Sequence, residues 1–238
     1  MPKTVTYSFE LPGQIKHDFE CSLNTETFEL TTNGEYSAPE WARTDHRRCR
    51  HCLTAGAEYC PVALNVHNIV MPMRDVISYE TVKCHVVTQE RTCVLTTSAQ
   101  EAIRSLMLFV IAASACPHTD FLKPLARFHL PFSSLEETVS RIVSAYLLCQ
   151  YFRAEQGLPF DHALTGLRDN CENFEIIAVE MAERIRSQQM IGDAVINAIV
   201  IVHDFSLFVP LYINDHLSIL KSAFVPTLRF QPPAKPNQ

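Results

Sequence analysis

Three cysteines fall close together in this chain, as Cys49-Arg50-His51-Cys52 and then Cys60-Pro61. The pattern is C-x2-C-x7-C-P. Thiolates are good ligands for zinc, and a two-residue gap lets two of them converge on one tetrahedral ion from a single tight turn. Cys49, Cys52 and Cys60 are therefore the candidate metal ligands, with Zn2+ the expected ion. A closed site needs a fourth ligand, and His46, His51, His67, Cys116 and His118 all qualify by type. An iron–sulfur cluster is the alternative, because a proline directly after a cysteine also occurs in cluster-binding runs, although those cysteines are more closely spaced. A redox dithiol fits less well, since Cys49-x-x-Cys52 does not lead from an apolar strand into a helix. The competing structural reading is three reduced thiols in an irregular loop, because a complete zinc motif usually shows two ligand pairs.

A second group of chemical side chains runs from Cys116 to Phe132. It holds Cys116, His118, Asp120, Arg127 and His129, kept out of long helix by Pro117, Pro124 and Pro131. It can line a site, or it can be a packed connector in which Arg127 pairs with Glu136 or Glu137. A Cys–His nucleophile made of Cys116 with His118 or His129 needs irregular backbone, because residues two apart on a helix face different ways. His203-Asp204 has the form of a phosphohydrolase metal pair. Such a site also needs an upstream histidine (His129 or His162) and a downstream aspartate such as Asp215, all converging. A di-iron bundle is disfavoured because the helices carry no Glu-x-x-His.

The elements that must position these groups divide the chain unevenly. Val5, Tyr7 and Phe9 alternate with polar residues, and Pro12-Gly13 marks a turn. Ile15–Leu23 and Thr27–Leu30 read as further strands, with Asn24 and Asn33-Gly34 as turns, so an antiparallel meander is expected. The span 38–59 has no periodicity and needs something to order it. Pro61 suits the first turn of a helix that Pro72 ends. A hairpin follows within 79–97, turning at Gln89-Glu90-Arg91. From Ser98 the pattern is helical. Ser98-Ala-Gln-Glu101 and Ser134-Leu-Glu-Glu137 both read as capping boxes. Gly157 ends the second long helix, Asp161 caps the third, and Glu180 with Arg184 forms an exposed pair on it. The last helical stretch, 193–224, should bend at Pro210.

Several strings in this chain resemble a family of uncharacterised bacterial proteins known only as a domain of unknown function. They are the cysteine cluster with Cys60-Pro61-x-Ala63, Ser78-Tyr79-Glu80-x-Val82, Cys116-Pro117, Ala126-Arg-Phe-His-Leu-Pro-Phe132, Glu136-Glu137-Thr138 and Tyr146-Leu-Leu-x-Gln150-Tyr151. The resemblance spans nearly the whole chain. The family pattern has proline after the second cysteine and glycine before Cys116, where this chain has Leu53 and Ala115. The resemblance implies a bacterial cytosolic setting and brings no mechanism.

Composition narrows the classes. Of 238 residues, 47% are apolar and 19% charged, enough for a real core. The net charge of −6 gives no basic footprint for nucleic acid. The run Arg43, Arg47, Arg48 and Arg50 is the local exception and reads as a solvated face. The 6 glycines leave no glycine-rich phosphate loop. No export signal opens the chain, and an odd count of 9 cysteines fits reduced thiols in a cytoplasmic protein. The apolar stretch 194–213 is long enough to span a bilayer, but Asn197, His203, Asp204 and Pro210 make it a core helix.

The expected fold is α+β. An antiparallel β-rich portion with the cysteine loop (1–97) precedes a helical bundle (98–225) packed on it as one unit, and a flexible tail covers 226–238. The expected function is a zinc-holding binding or regulatory module in the cytoplasm. Its partner would be an unknown protein or a second copy, with no nucleic acid and no membrane. An enzyme or iron–sulfur protein with a site near Cys116–Phe132 is the alternative.

Overall fold

Alternation in the first segment does what it should. In the computed structural model, which describes residues 3–31, 38–188 and 192–229, β1 (Lys3–Glu10) buries every second side chain. Val5, Tyr7 and Phe9 are the core-facing set, each no more than 1% exposed. Successive side chains of a strand point to opposite faces, so this period fixes which face is inside. A turn at Pro12–Gln14, with Gly13 at φ 74°, returns the chain as β2 (Lys16–Leu23), antiparallel to β1 with Lys3 opposite Leu23.

The chain then crosses the sheet through the cysteine loop and α1 (Pro61–Val70) before β3 (Thr81–Val87) and β4 (Thr92–Ser98). β3 pairs antiparallel with the free edge of β1, Phe9 opposite Cys84. The strand order is β2-β1-β3-β4, so the sheet is two hairpins joined through β1 and not the expected meander. The expected strand over Thr27–Leu30 reduces to one bridge, Leu23 to Leu30. Asn24 Oδ1 accepts from the backbone N–H groups of Glu26 and Thr27, and Phe28 takes φ 56°, so a local turn replaces the ladder. The Asn33-Gly34 turn lies outside the described residues.

Helices follow as α2 (Ala99–Ala112), α3 (Lys123–Arg127), α4 (Leu135–Glu155), α5 (Thr165–Arg186), α6 (Asp193–Asn214) and α7 (Ser218–Arg229). An α+β architecture is therefore observed, an antiparallel sheet followed by helices. Of the two expected capping boxes, only Ser134–Glu137 forms, with both reciprocal bonds. Ser98 is still paired to Thr81 in the sheet, and the first donors of α2 go to the carbonyls of Glu80 and Ser78. Glu101 instead pairs with Arg104 at 2.9 Å. Gly157 stops α4 at φ 69°. Asp161 serves the start of α5, accepting from the N–H groups of Ala163 and Gly166 and from the Tyr146 hydroxyl.

The buried side chains form one cluster drawn from sheet and helices alike. α6 sits against α2 and α5 and buries Ala198, Ile199, Val202 and Val209. It is long and apolar enough to cross a membrane by length and composition, and 44% of its most apolar window is buried in the fold. It runs through Pro210, and the chain breaks instead at the turn after it, where His216 and Leu217 have φ 52° and 53°. α7 buries only Leu220. It continues to Arg229, into the expected tail, and the rest of that tail lies outside the described residues.

Candidate metal centre

The span 39–60 is ordered by its own backbone and by α5. A 3-10 turn at Glu40–Ala42 buries Trp41, whose ring meets His67 edge-on at 5.6 Å. Antiparallel pairing of Arg43 with Tyr59 closes the base of the loop, and two bonds extend it: Thr44 N–H to Glu58 O at 2.9 Å and Cys60 N–H to Ala42 O at 2.8 Å. Within the loop, Cys52 N–H donates to Cys49 O at 3.1 Å, which folds the two cysteines into one tight turn.

Arg184 straps this loop to α5. It is 2% exposed and donates from Nη1 to the carbonyls of Trp41 and Arg43, both at 3.0 Å, and from Nη2 to Arg47 O at 3.3 Å. The expected exposed pair of Glu180 with Arg184 is thus replaced. Glu180 and Glu183 face Arg47 at 3.9 and 3.4 Å, and the Arg184 guanidinium turns inward. A planar cation with five donors can reach all three carbonyls at once, although Arg43 O also accepts from the His46 N–H at 3.2 Å. Arg43 lies among Glu40, Asp45 and Glu58, so much of the arginine run is neutralised locally.

The second constellation separates. The 3-10 turn Pro117–Leu122 places Cys116 at its start, fixed by Thr119 Oγ1 donating to Cys116 O at 2.8 Å. His118 Nε2 donates to His51 O at 2.8 Å, and the two rings lie 4.1 Å apart. This joins the Cys116 turn to the Cys49–Cys52 turn. His129 goes elsewhere: its Nε2 is hydrogen-bonded to the Tyr7 hydroxyl at 2.7 Å, and its ring packs on Phe109 at 4.5 Å. Asp120 lines a groove beside α4 and the start of α5, while His129 lines a small cavity with Ser105 and Phe132. Arg127 lies over the rings of Phe28 and Phe128, not against Glu136 or Glu137. Arg141 binds the connector instead, donating to Phe128 O at 2.8 Å. His203 faces Glu175 and Asp204, whereas Asp215 accepts from Ser218 Oγ and His129 is held by Tyr7.

The thiols of the two turns act on one another electrostatically. Burial, then Cys60, Arg184 and Cys52, set the Cys49 thiol, which is pushed up to about 12. Burial likewise pushes Cys116 up to about 11, with the His118 N–H opposing it and Cys60 and Cys52 adding to it. Cys49 and Cys116 are therefore within Coulombic range of the same two thiols. None of the nine cysteines is in a disulfide. His51 Nε2 faces Asn173 O at 3.1 Å; a carbonyl only accepts, so Nε2 carries the proton. Its Nδ1 is buried with no hydrogen-bond partner. Burial, then His118, lower its pKa. Among the described residues, no three His, Cys, Asp or Glu side chains stand in ligating geometry around one point.

The family profile of a domain of unknown function, DUF6901, matches residues 5–225. The chain belongs to that family. The match covers the sheet, the cysteine loop and the helices to within α7, so the loop is part of the domain as the family defines it. No curated protein and no solved structure matches the chain. Sequence reasoning missed Arg184 and the Tyr7–His129 contact. A buried arginine on a helix looks like any surface arginine in sequence, and no local signal marked either one.

Proposed function

We propose that this DUF6901 domain is a metal-binding module in which Cys49, Cys52 and Cys60 hold a structural zinc ion. The observation that carries the reading is the closed loop, in which the Cys52 N–H to Cys49 O bond sets two cysteines on one turn and the Arg43–Tyr59 pairing holds Cys60 at the base, all three thiols reduced. Burial disfavours the bare Cys49 thiolate, and a bound dication supplies the charge that favours it. Zinc would add to ties the loop already has, its backbone bonds, Arg184, Arg47 with Glu183, and the His51 and His118 bonds. The separate positions of His129, Asp120 and Arg127 favour this over a reaction centre in 116–132.

The module would act by binding. The exposed apolar residues of α4, Leu147, Leu148, Tyr151 and Phe152, support a protein partner or a second copy as its target. The unpaired thiols suit a cytoplasmic location, and the packing of α6 against α2 and α5 suits a helix of the core.

Elemental analysis and an absorbance spectrum of anaerobically purified protein test the reading. About one zinc per chain, lost in Cys49→Ser and Cys52→Ser, is expected. A colourless, metal-free wild type of full stability overturns it, and visible absorbance with bound iron replaces zinc by an iron–sulfur cluster.

A further inference from the structure

Two spaces adjoin beside α2. The inner one, about 30 Å³, is lined by Ser105, Phe109, His129, Phe132 and Arg141 among others. The outer one is a groove of about 330 Å³ between α2, the start of α4 and the middle of α6. Its wall includes Leu135, Ile201, Phe205 and Phe208, with Glu101 and Asp204. Arg104, Leu108, Ser133 and Thr138 line both spaces. A groove of this size, mostly apolar and with a few polar groups at one end, suits a small molecule.

Arg104 stands where the two spaces meet. Its side chain is 20% exposed, and Nε donates to Glu101 Oε2 at 2.9 Å. Among the described residues, neither of its terminal nitrogens has an acceptor. The polar groups around it are committed to one another. Ser105 Oγ is hydrogen-bonded to the Tyr7 hydroxyl at 2.9 Å and accepts from Phe132 N–H at 3.1 Å. Ser133 Oγ donates to Leu130 O at 2.7 Å and accepts from Arg141 Nη1 at 3.2 Å. Thr138 Oγ1 donates to Ser134 O at 2.7 Å. The shared wall therefore holds a largely buried guanidinium whose two outer nitrogens the fold does not answer. A planar fork of donors matches a carboxylate. At the inner end Phe132 takes left-handed backbone, φ 59°, which is rare for a bulky residue and recurs at ligand sites.

We infer that these spaces form a binding site for a small monocarboxylate with an apolar tail. The carboxylate accepts from the terminal nitrogens of Arg104, and the tail lies in the outer groove along Leu135, Phe205 and Phe208. Charge sets the direction. Arg104 and Arg141 line the inner space, while Glu101 and Asp204 line only the outer groove. A negative head is drawn inward, and the acidic groove disfavours a second anionic group at the outer end. A neutral alcohol of equal length fills the groove but leaves Arg104 unanswered. The site shares no residue with the cysteine loop and does not rest on the zinc reading.

Isothermal titration of the full chain with octanoate and with octanol tests this, on wild type, Arg104→Gln and Phe208→Ala. Wild type should bind one octanoate per chain, and octanol about 10- to 100-fold more weakly, the loss of a charge-assisted pair. Arg104→Gln should weaken octanoate by a similar factor and leave octanol unchanged. Phe208→Ala should weaken both. In wild type, octanoate should also shift the ring signals of His129 at the inner end, a readout that needs no variant to fold. Equal affinity of wild type for octanoate and octanol overturns the assignment, as does unchanged octanoate binding in Arg104→Gln. Wild type with no saturable octanoate binding up to millimolar concentration overturns it too. Unchanged binding in Phe208→Ala overturns the placement of the tail.

Discussion

Arg184 Nη1 donates to the backbone carbonyl of Trp41 at 3.0 Å, joining the end of α5 to the start of the cysteine loop. The same nitrogen reaches Arg43 O, and Nη2 reaches Arg47 O. Hydrogen bonds from a charged donor contribute about 1.5–3 kcal/mol each, and removing the donor takes the Arg184 bond from the buried Trp41 carbonyl. Arg184→Ala should lower unfolding free energy by about 2–4 kcal/mol. Arg184→Lys should recover only part, because one ammonium cannot span three carbonyls in fork geometry. Urea denaturation measures the first effect, and hydrogen exchange of the loop amides locates it. Equal stability of wild type and Arg184→Ala would show that the strap is dispensable.

His129 predicts a dependence on pH. Burial, then Arg141 and Lys3, lower its pKa to about 3. The native state therefore binds this proton more weakly than the unfolded chain does, whose imidazole titrates near 6.5. Stability from the neutral, buried ring is fully present above about pH 6.5 and falls as pH drops from there toward about 3. Lowering pH from about 7.5 to about 4.5 should remove roughly 2–3 kcal/mol through this group alone. His51 and His67, both lowered by burial, act in the same direction. Melting curves across this window for wild type and His129→Gln check it. The variant should show a flatter profile, and parallel profiles would remove His129 as the cause.

Gly192 predicts a steric effect. A Cβ there would stand 2.6 Å from Val76 O and 2.7 Å from Arg74 O, both backbone atoms that cannot turn aside. Its N–H donates to Arg74 O, and the adjacent Asp193 carboxylate accepts from Ser78 N–H and Oγ at 2.8 and 2.7 Å. Gly192→Ala should displace the start of α6 from the segment before β3 and cost about 1–3 kcal/mol, as overpacking does. Gly157→Ala has open space around its Cβ and should cost about 1 kcal/mol from φ strain alone. Thermal unfolding of the two variants side by side reads the difference, and a smaller loss at Gly192 than at Gly157 would contradict the close approach.

What the sequence determined by itself is what short-range physics controls. Period-two alternation placed Val5, Tyr7 and Phe9 in the core, and a serine three residues before a glutamate made a true cap at Ser134. Proline and glycine marked the start of α1 and the end of α4. Cys49 and Cys52, with two residues between them, could share a turn by local geometry alone, and they do. Tertiary structure decided everything that depended on a distant partner. The same serine–glutamate pattern failed at Ser98 because sheet carbonyls reached the first donors of α2. β3 chose the free edge of β1, which no local pattern encodes. Arg184 turned inward onto three loop carbonyls, and His129 is held away from the rest of its segment by the Tyr7 hydroxyl. Of the residues able to complete the cysteine site, sequence left five equal, and it gave no sign that the Cys116 turn meets the Cys49–Cys52 turn through His118 and His51, because hydrogen bonds across a packed interface depend on position in space and not on spacing along the chain.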